Sequence, residues 1–188
     1  MPYPADTVQS RITTALGDVR LAASARGLVG LWFDGQRHQP LAALDGPAAW
    51  PQAPGHPVLV EAARQFSDYL AGRRVRFDLP LDLGSGTPFQ QAVWEALCGI
   101  APGATVSYAA LSRQVGRPLA VRAVGAAVGR NPVSVIVPCH RVIGSGGALT
   151  GYAGGLERKA ALLRLEGALA SRTDALPLFA PAAAKALA

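Results

Sequence analysis

Cys139 and His140 stand side by side in Pro138-Cys139-His140-Arg141. The thiolate is the reactive form of cysteine, and a neighbouring base or cation generates it near neutral pH. The pair follows a run of β-branched residues at 133–137, which predicts a buried strand, and precedes the Gly-rich stretch 144–147, which predicts a turn. Adjacent side chains of an extended strand point to opposite faces. His140 therefore reaches Cys139 only if the backbone turns between them or a water bridges them. The bland alternatives are a buried thiol and a structural imidazole hydrogen bond; Pro138 and the following turn favour chemistry.

Two further residues can serve that sulfur. Glu166 falls three and four residues after Leu163 and Leu162, at the inner edge of a last helix. It also sits at the helix C-terminus, where the dipole disfavours a carboxylate. Two readings stay open: a salt bridge to an arginine, or an orienter for His140 in a Cys-His-Glu relay. Asn131-Pro132 separates a helix from the strand, and an Asn there can bond nearby backbone and brace the Cys139 turn. The three histidines, His38, His56 and His140, and the two cysteines show no ligand-like spacing, so no metal is expected.

The charge distribution points to a partner. The chain has 188 residues and a formal net charge of +6. Residues 1–84 hold eight Arg and eight acids, whereas residues 85–167 hold seven Arg, one Lys and three acids. No acid lies between Glu95 and Glu157, while Arg113, Arg117, Arg122, Arg130 and Arg141 do. Such a one-signed stretch suits a polyanion, most simply nucleic acid, although an Arg-rich composition alone also makes proteins basic. Two cysteines are too few for a disulfide framework and fit a reducing cytoplasm. No apolar run approaches the roughly 18 residues that span a bilayer, and the N-terminus lacks the pattern of a secretory signal.

The elements that must position these residues read as an α+β chain. Short alternating pieces in 10–34, broken at Gly17-Asp18 and Arg26-Gly27, predict an antiparallel meander. Residues 36–56 read as loop, 57–71 as a helix and 75–79 as an edge strand. A capping box, Thr87 with Gln90, and Pro88 open a helix that ends at Gly99. Cys98 lies on it and reads as a small buried hydrophobe. A helix capped by Ser107 stops at Gly116, and a second opens at Pro118 and runs to about Gly129; together they have the outline of a helix-turn-helix. Val121, Val124 and Val128 mark the core face of the second helix. Its other face carries Arg122, Gly125, Ala126 and Gly129, nearly bare backbone around one arginine. That face suits either close helix packing or a shape-reading contact with DNA; it lacks the bidentate side chains of major-groove reading. The predicted division is 1–84, an N-terminal α+β domain; 85–170, a helical domain carrying the chemistry; and a tail at 171–188.

Over about 86–167 the chain resembles the 6-O-alkylguanine-DNA alkyltransferases, or methylated-DNA–protein-cysteine methyltransferases. The likeness rests on Gly86-Thr87-Pro88-Phe89, Val106-Ser107-Tyr108, Arg122-Ala123-Val124-Gly125, Asn131-Pro132, the run from Ile136 through Pro138-Cys139-His140-Arg141 to Ile143, and Tyr152-Ala153-Gly154-Gly155-Leu156. The resemblance implies a ribonuclease H-like N-terminal domain and a helix-turn-helix C-terminal one. It implies irreversible, stoichiometric transfer of an alkyl group from O6-alkylguanine, and from O4-alkylthymine, in double-stranded DNA to Cys139, without cofactor. His140 would take the thiol proton through a water, Glu166 would orient His140, and Asn131 would brace the turn. Arg122 would enter the duplex beside an extruded base, which must leave the stack to expose its reactive atom. Tyr108 would help drive the nucleotide out, and Ala120, Gly125 and Ala126 would lie against DNA. Val142, Tyr152, Ala153 and Val128 would line the base pocket. A cytoplasmic monomer without membrane attachment is implied, with cooperative binding along DNA left open. Mammalian members carry zinc ligands in the N-terminal domain; this chain has no cysteine there. Ala161 stands where many members have Trp, and Ala153 where some have Ser.

Two rivals differ in what they predict. A helix-turn-helix regulator would bind a specific DNA sequence whether or not Cys139 is present. A cysteine hydrolase would turn over repeatedly, and it leaves the bare helix face and the charge gap unexplained.

Overall fold

The computed structural model describes residues 3–43 and 46–170; the tail expected at 171–188 lies outside the described residues. The chain opens with the predicted meander, β1 (Val8–Thr14), β2 (Gly17–Ser24) and β3 (Gly27–Phe33), antiparallel in the order β1-β2-β3. Helix α1 (Pro57–Leu70) lays Leu59, Ala62, Phe66 and Tyr69 on one face of this sheet. A second apolar cluster gathers Ala22, Val29 and Trp32 with Tyr3, Ala43 and Trp50 from the N-terminal arm and the following loop.

Residues 75–79 do not form the expected edge strand. Gln65 of α1 replaces a strand partner there: its amide donates to the Asp78 carbonyl and accepts from the Asp78 N–H, both at 2.8 Å. A side chain that satisfies both backbone groups removes the drive for ladder pairing. Pairing resumes only at Leu81, in a single bridge with Leu28.

Helix α2 (Pro88–Cys98) carries the predicted capping box, with Thr87 and Gln90 satisfying each other's backbone N–H groups. Cys98 is exposed, not buried as its sequence context suggested. The inner stripe is Val93, Trp94 and Leu97, and the next position rotates outward. After β4 (Val106–Ser107), Ser107 caps α3 (Tyr108–Gln114) by accepting from the Ala110 N–H. Helix α4 (Val121–Gly129) begins three residues beyond Pro118, because 117–120 close first as a turn, Ala120 N–H to Arg117 carbonyl at 2.9 Å. Trp94 Nε1 donates to the Ala127 carbonyl and ties α2 to α4.

The segment before the cysteine is the second departure. Residues 133–137 were expected as one strand; only Val133 and Ser134 pair, with Leu31 on β3. Val135 then takes φ +72° and reverses the chain, so that Val137 N–H donates to the Val133 carbonyl. A buried β-branched residue in the left-handed region costs on the order of 1–3 kcal/mol. The chain continues into one 3-10 turn, Cys139–Arg141, and into β5 (Val142–Ile143), which pairs in parallel with β4. Helix α5 (Leu156–Leu165) packs against the 3-10 turn. One apolar core runs through both halves of the chain, from Leu21, Leu31 and Phe66 to Val128, Cys139 and Leu162.

Candidate active site

Cys139 opens the 3-10 turn, 4% exposed, with His140 fully buried beside it. The turn takes the two neighbours out of the extended backbone that would point them to opposite faces. Asn131 braces it from the end of α4: its Nδ2 donates to the Val137 carbonyl at 2.7 Å and to Cys139 Sγ at 3.0 Å, while its Oδ1 accepts from the Val133 N–H at 3.0 Å.

Glu166, the residue that caps the end of α5, meets both His140 and an arginine. Its Oε1 lies 3.1 Å from His140 Nε2, and Arg141 grips both of its oxygens, Nη2 to Oε1 at 2.6 Å and Nε to Oε2 at 2.9 Å. The Arg141 fork is the bidentate pairing that favours an ionised carboxylate. Burial pushes the Glu166 carboxyl up, but hydrogen bonds from His140, Arg141 and Tyr69 outweigh it and hold the group well below the ordinary carboxylate range. An ionised carboxylate only accepts, so Nε2 of His140 carries the proton and Nδ1 keeps its lone pair. Nδ1 has no hydrogen-bond partner among the described residues. Burial holds the His140 pKa down, which keeps the imidazole neutral and able to take a proton.

The sulfur is a buried thiol at rest. Burial pushes the Cys139 pKa up; Asn131 and the charge of Lys159 pull against it without winning. A thiol must lose its proton to act as a nucleophile. Lys159 was not singled out in the sequence, yet its ammonium is fully buried and donates to the carbonyls of Val142 and Thr150. Burial lowers its pKa to about 8. The signal was available: Lys159 precedes Leu162 and Leu163 by three and four residues, so it lies on the inner face of α5. Tyr69 of α1, also unanticipated, donates from its hydroxyl to Glu166 Oε1 at 2.8 Å. It is separated from Glu166 by 97 positions, and nothing local marks it.

The residues expected to line a base pocket lie at different depths. Val142 and Val128 are buried in the same core as Cys139, while Tyr152 and Ala153 are half-buried. Tyr108 lies half-buried at the start of α3, its hydroxyl donating to the Gly151 carbonyl at 3.0 Å. Gly151, at φ +54°, lets that hydroxyl in; a Cβ there would sit 3.1 Å from it. On α4, Arg122 and Ala126 are exposed and Ala120 and Gly125 half-buried. A Cβ on Gly125 would meet only the Tyr108 ring, at 3.7 Å, and one on Gly129 nothing within 4 Å, so helix packing does not account for these glycines. Arg113, Arg117 and Arg130 are exposed around the same pair of helices.

Comparisons with known proteins agree on one family across residues 8–168. The ribonuclease-like domain of 6-O-methylguanine DNA methyltransferase matches residues 8–83, and the DNA binding domain of the same family matches 88–168. The methylated-DNA–protein-cysteine methyltransferase of Mycobacterium tuberculosis is 45% identical over 155 residues, covering 82% of this chain and 89% of its own. That of Methanosarcina barkeri is 44% identical over 156 residues, covering 82% and 94%. Among solved structures, Mycobacterium tuberculosis OGT in complex with DNA superposes with a TM-score of 0.75 at 43% identity, covering 85% of this chain and 92% of that one. With both domain models of one family matched in order and relatives 44–45% identical over 82% of its length, the chain belongs to the methylated-DNA–protein-cysteine methyltransferase family.

Proposed function

We propose that this protein repairs DNA by direct reversal, taking the alkyl group of O6-alkylguanine onto Cys139 in a single, irreversible turnover. The observation that carries the reading is the His140–Glu166 bond, which leaves Nδ1 of a neutral imidazole as the base beside a protonated thiol. His140 takes the Cys139 proton through a bridging water. The sulfur lone pair attacks the alkyl carbon as its bond to the guanine oxygen breaks. That electron pair returns to the base, which regains a proton and leaves as ordinary guanine. The product is a thioether, which offers water no electrophilic carbonyl, so the protein is spent.

Double-stranded DNA meets the helix-turn-helix of α3 and α4. Arg122 projects from α4 into the duplex beside the extruded nucleotide, the small face of Ala120, Gly125 and Ala126 allows close approach, and the surrounding arginines neutralise phosphates. Tyr108 releases the Gly151 carbonyl to hydrogen-bond the leaving base, with Val142, Val128, Tyr152 and Ala153 around it. Residues 85–170 form the DNA-binding and acceptor domain and 1–84 its supporting domain. Free thiols suit a cytoplasmic setting, and no helix among the described residues is long and apolar enough to cross a membrane.

The test is an intact mass measurement after incubation with an oligonucleotide bearing one 6-O-methylguanine. A gain of one methylene mapped to Cys139, absent in Cys139→Ser, is the expected result. Repaired DNA beside unmodified protein contradicts the proposal.

A further inference from the structure

Glu166 Oε1 accepts three hydrogen bonds: from His140 Nε2, Arg141 Nη2 and the Tyr69 hydroxyl. Arg141 and His140 belong to the same 3-10 turn, so their bonds tie Glu166 to the turn that it serves. Tyr69 comes from α1, packed on the N-terminal sheet, and is the contact to that carboxylate from the other half of the chain. Its ring is 2% exposed and fixed among Phe66, at 6.5 Å and nearly parallel, and Phe77, at 5.2 Å. A hydroxyl on so rigid a ring delivers its proton along one direction, and it holds one side of Oε1 while the imidazole takes another.

We infer that Tyr69 is a positioning residue for alkyl transfer, through which the N-terminal half of the chain sets the orientation and basicity of His140. The inference rests on the alkyl-transfer reading of Cys139 given above. Burial and the nearby Glu166 charge both raise the phenol pKa, so Tyr69 remains a donor across the working range. The charged and titratable groups facing this cluster are His140 and Arg141 on the turn, Cys139 at its start, Tyr152 in the loop before α5, Lys159 and Glu166 on and at the end of α5, and Tyr69 on α1. A donor on Oε1 draws negative charge away from the imidazole. Without it, Oε1 faces His140 with more charge, the imidazolium is favoured, and the neutral base is available only at higher pH.

The experiment is Tyr69→Phe, which deletes the hydroxyl and keeps the ring among Phe66 and Phe77. Single-turnover methyl transfer from a duplex bearing 6-O-methylguanine is followed as a function of pH, with a melting curve as the check on folding. The His140 imidazole is titrated by NMR in both proteins. Transfer near neutral pH should fall about tenfold, the scale of one hydrogen bond to a charged group. The acid limb of the pH–rate profile and the His140 titration should both move to higher pH. Superimposable profiles overturn the inference, and so does a slower rate with an unmoved limb and an unmoved His140 titration, which is the mark of a merely structural role. If the wild-type protein itself leaves Cys139 unmethylated, the alkyl-transfer reading fails instead, and the His140 titration still decides whether Tyr69 sets its basicity.

Discussion

Asn131 reaches across the active-site turn to Cys139: its amide nitrogen lies 3.0 Å from Sγ and 2.7 Å from the Val137 carbonyl oxygen. The same side chain accepts from the Val133 N–H, so it closes the loop in which Val135 holds its left-handed conformation. Asn131→Ala leaves a buried N–H and a buried carbonyl without these partners. A loss of about 2–6 kcal/mol is expected, since each of the two orphaned groups costs about 1–3 kcal/mol. Urea unfolding should show it as a lower midpoint, with transfer to Cys139 reduced even in the fraction that remains folded. Unchanged stability and transfer would remove Asn131 from the account.

Lys159 gives a prediction with a sign fixed by linkage. Its folded pKa of about 8 lies below the ordinary 10.5, so between these values the unfolded chain binds more protons than the folded one. Stability therefore carries the full cost of the buried ammonium below pH 8 and recovers it as pH rises toward 10.5. Cys139 and Tyr69, raised on folding, work in the opposite sense, so the comparison must be with Lys159→Met. Relative to that variant the wild type should gain on the order of 2–3 kcal/mol across the interval. Chemical denaturation at closely spaced pH values measures it; a constant difference between the two proteins contradicts the buried charge.

Under the proposed finger role, Arg122 serves base extrusion and not chemistry. It stands exposed on α4. Arg122→Ala should slow repair of duplex DNA by at least about tenfold, because extruding a base costs a few kcal/mol. Transfer from free 6-O-methylguanine base should change little. Equal losses on duplex and free base would count against an arginine that enters the helix.

What the sequence disclosed follows the range of the forces involved. The Thr87–Gln90 box is a matter of four consecutive residues, and the structure reproduces it bond for bond. The meander at 8–33 likewise follows from alternation and short turns. Val135 escaped because valine disfavours positive φ and favours strands; the fold imposes a conformation that its own preferences oppose. Residues 75–79 escaped because their partner is a side chain of α1, not a strand. Cys139, His140, Asn131 and Glu166 stood out by residue type and spacing, and the structure brings Asn131 to Cys139 and Glu166 to His140. Arg141 was seen only as a charge, Lys159 was missed although its spacing from Leu162 and Leu163 marks the inner face of α5, and Tyr69 was out of reach because its contact crosses the fold. Cys98 shows the limit of periodicity: one step of helix rotation separates a core position from solvent.

The 4% exposure of Cys139 reaches beyond catalysis. Oxidants and stray electrophiles attack the accessible thiolate, and this sulfur is neither accessible nor ionised while it waits. A protein with a single equivalent to give must not squander it on whatever diffuses past. Shielding the acceptor inside a packed turn keeps that equivalent intact until a damaged nucleotide is delivered to it.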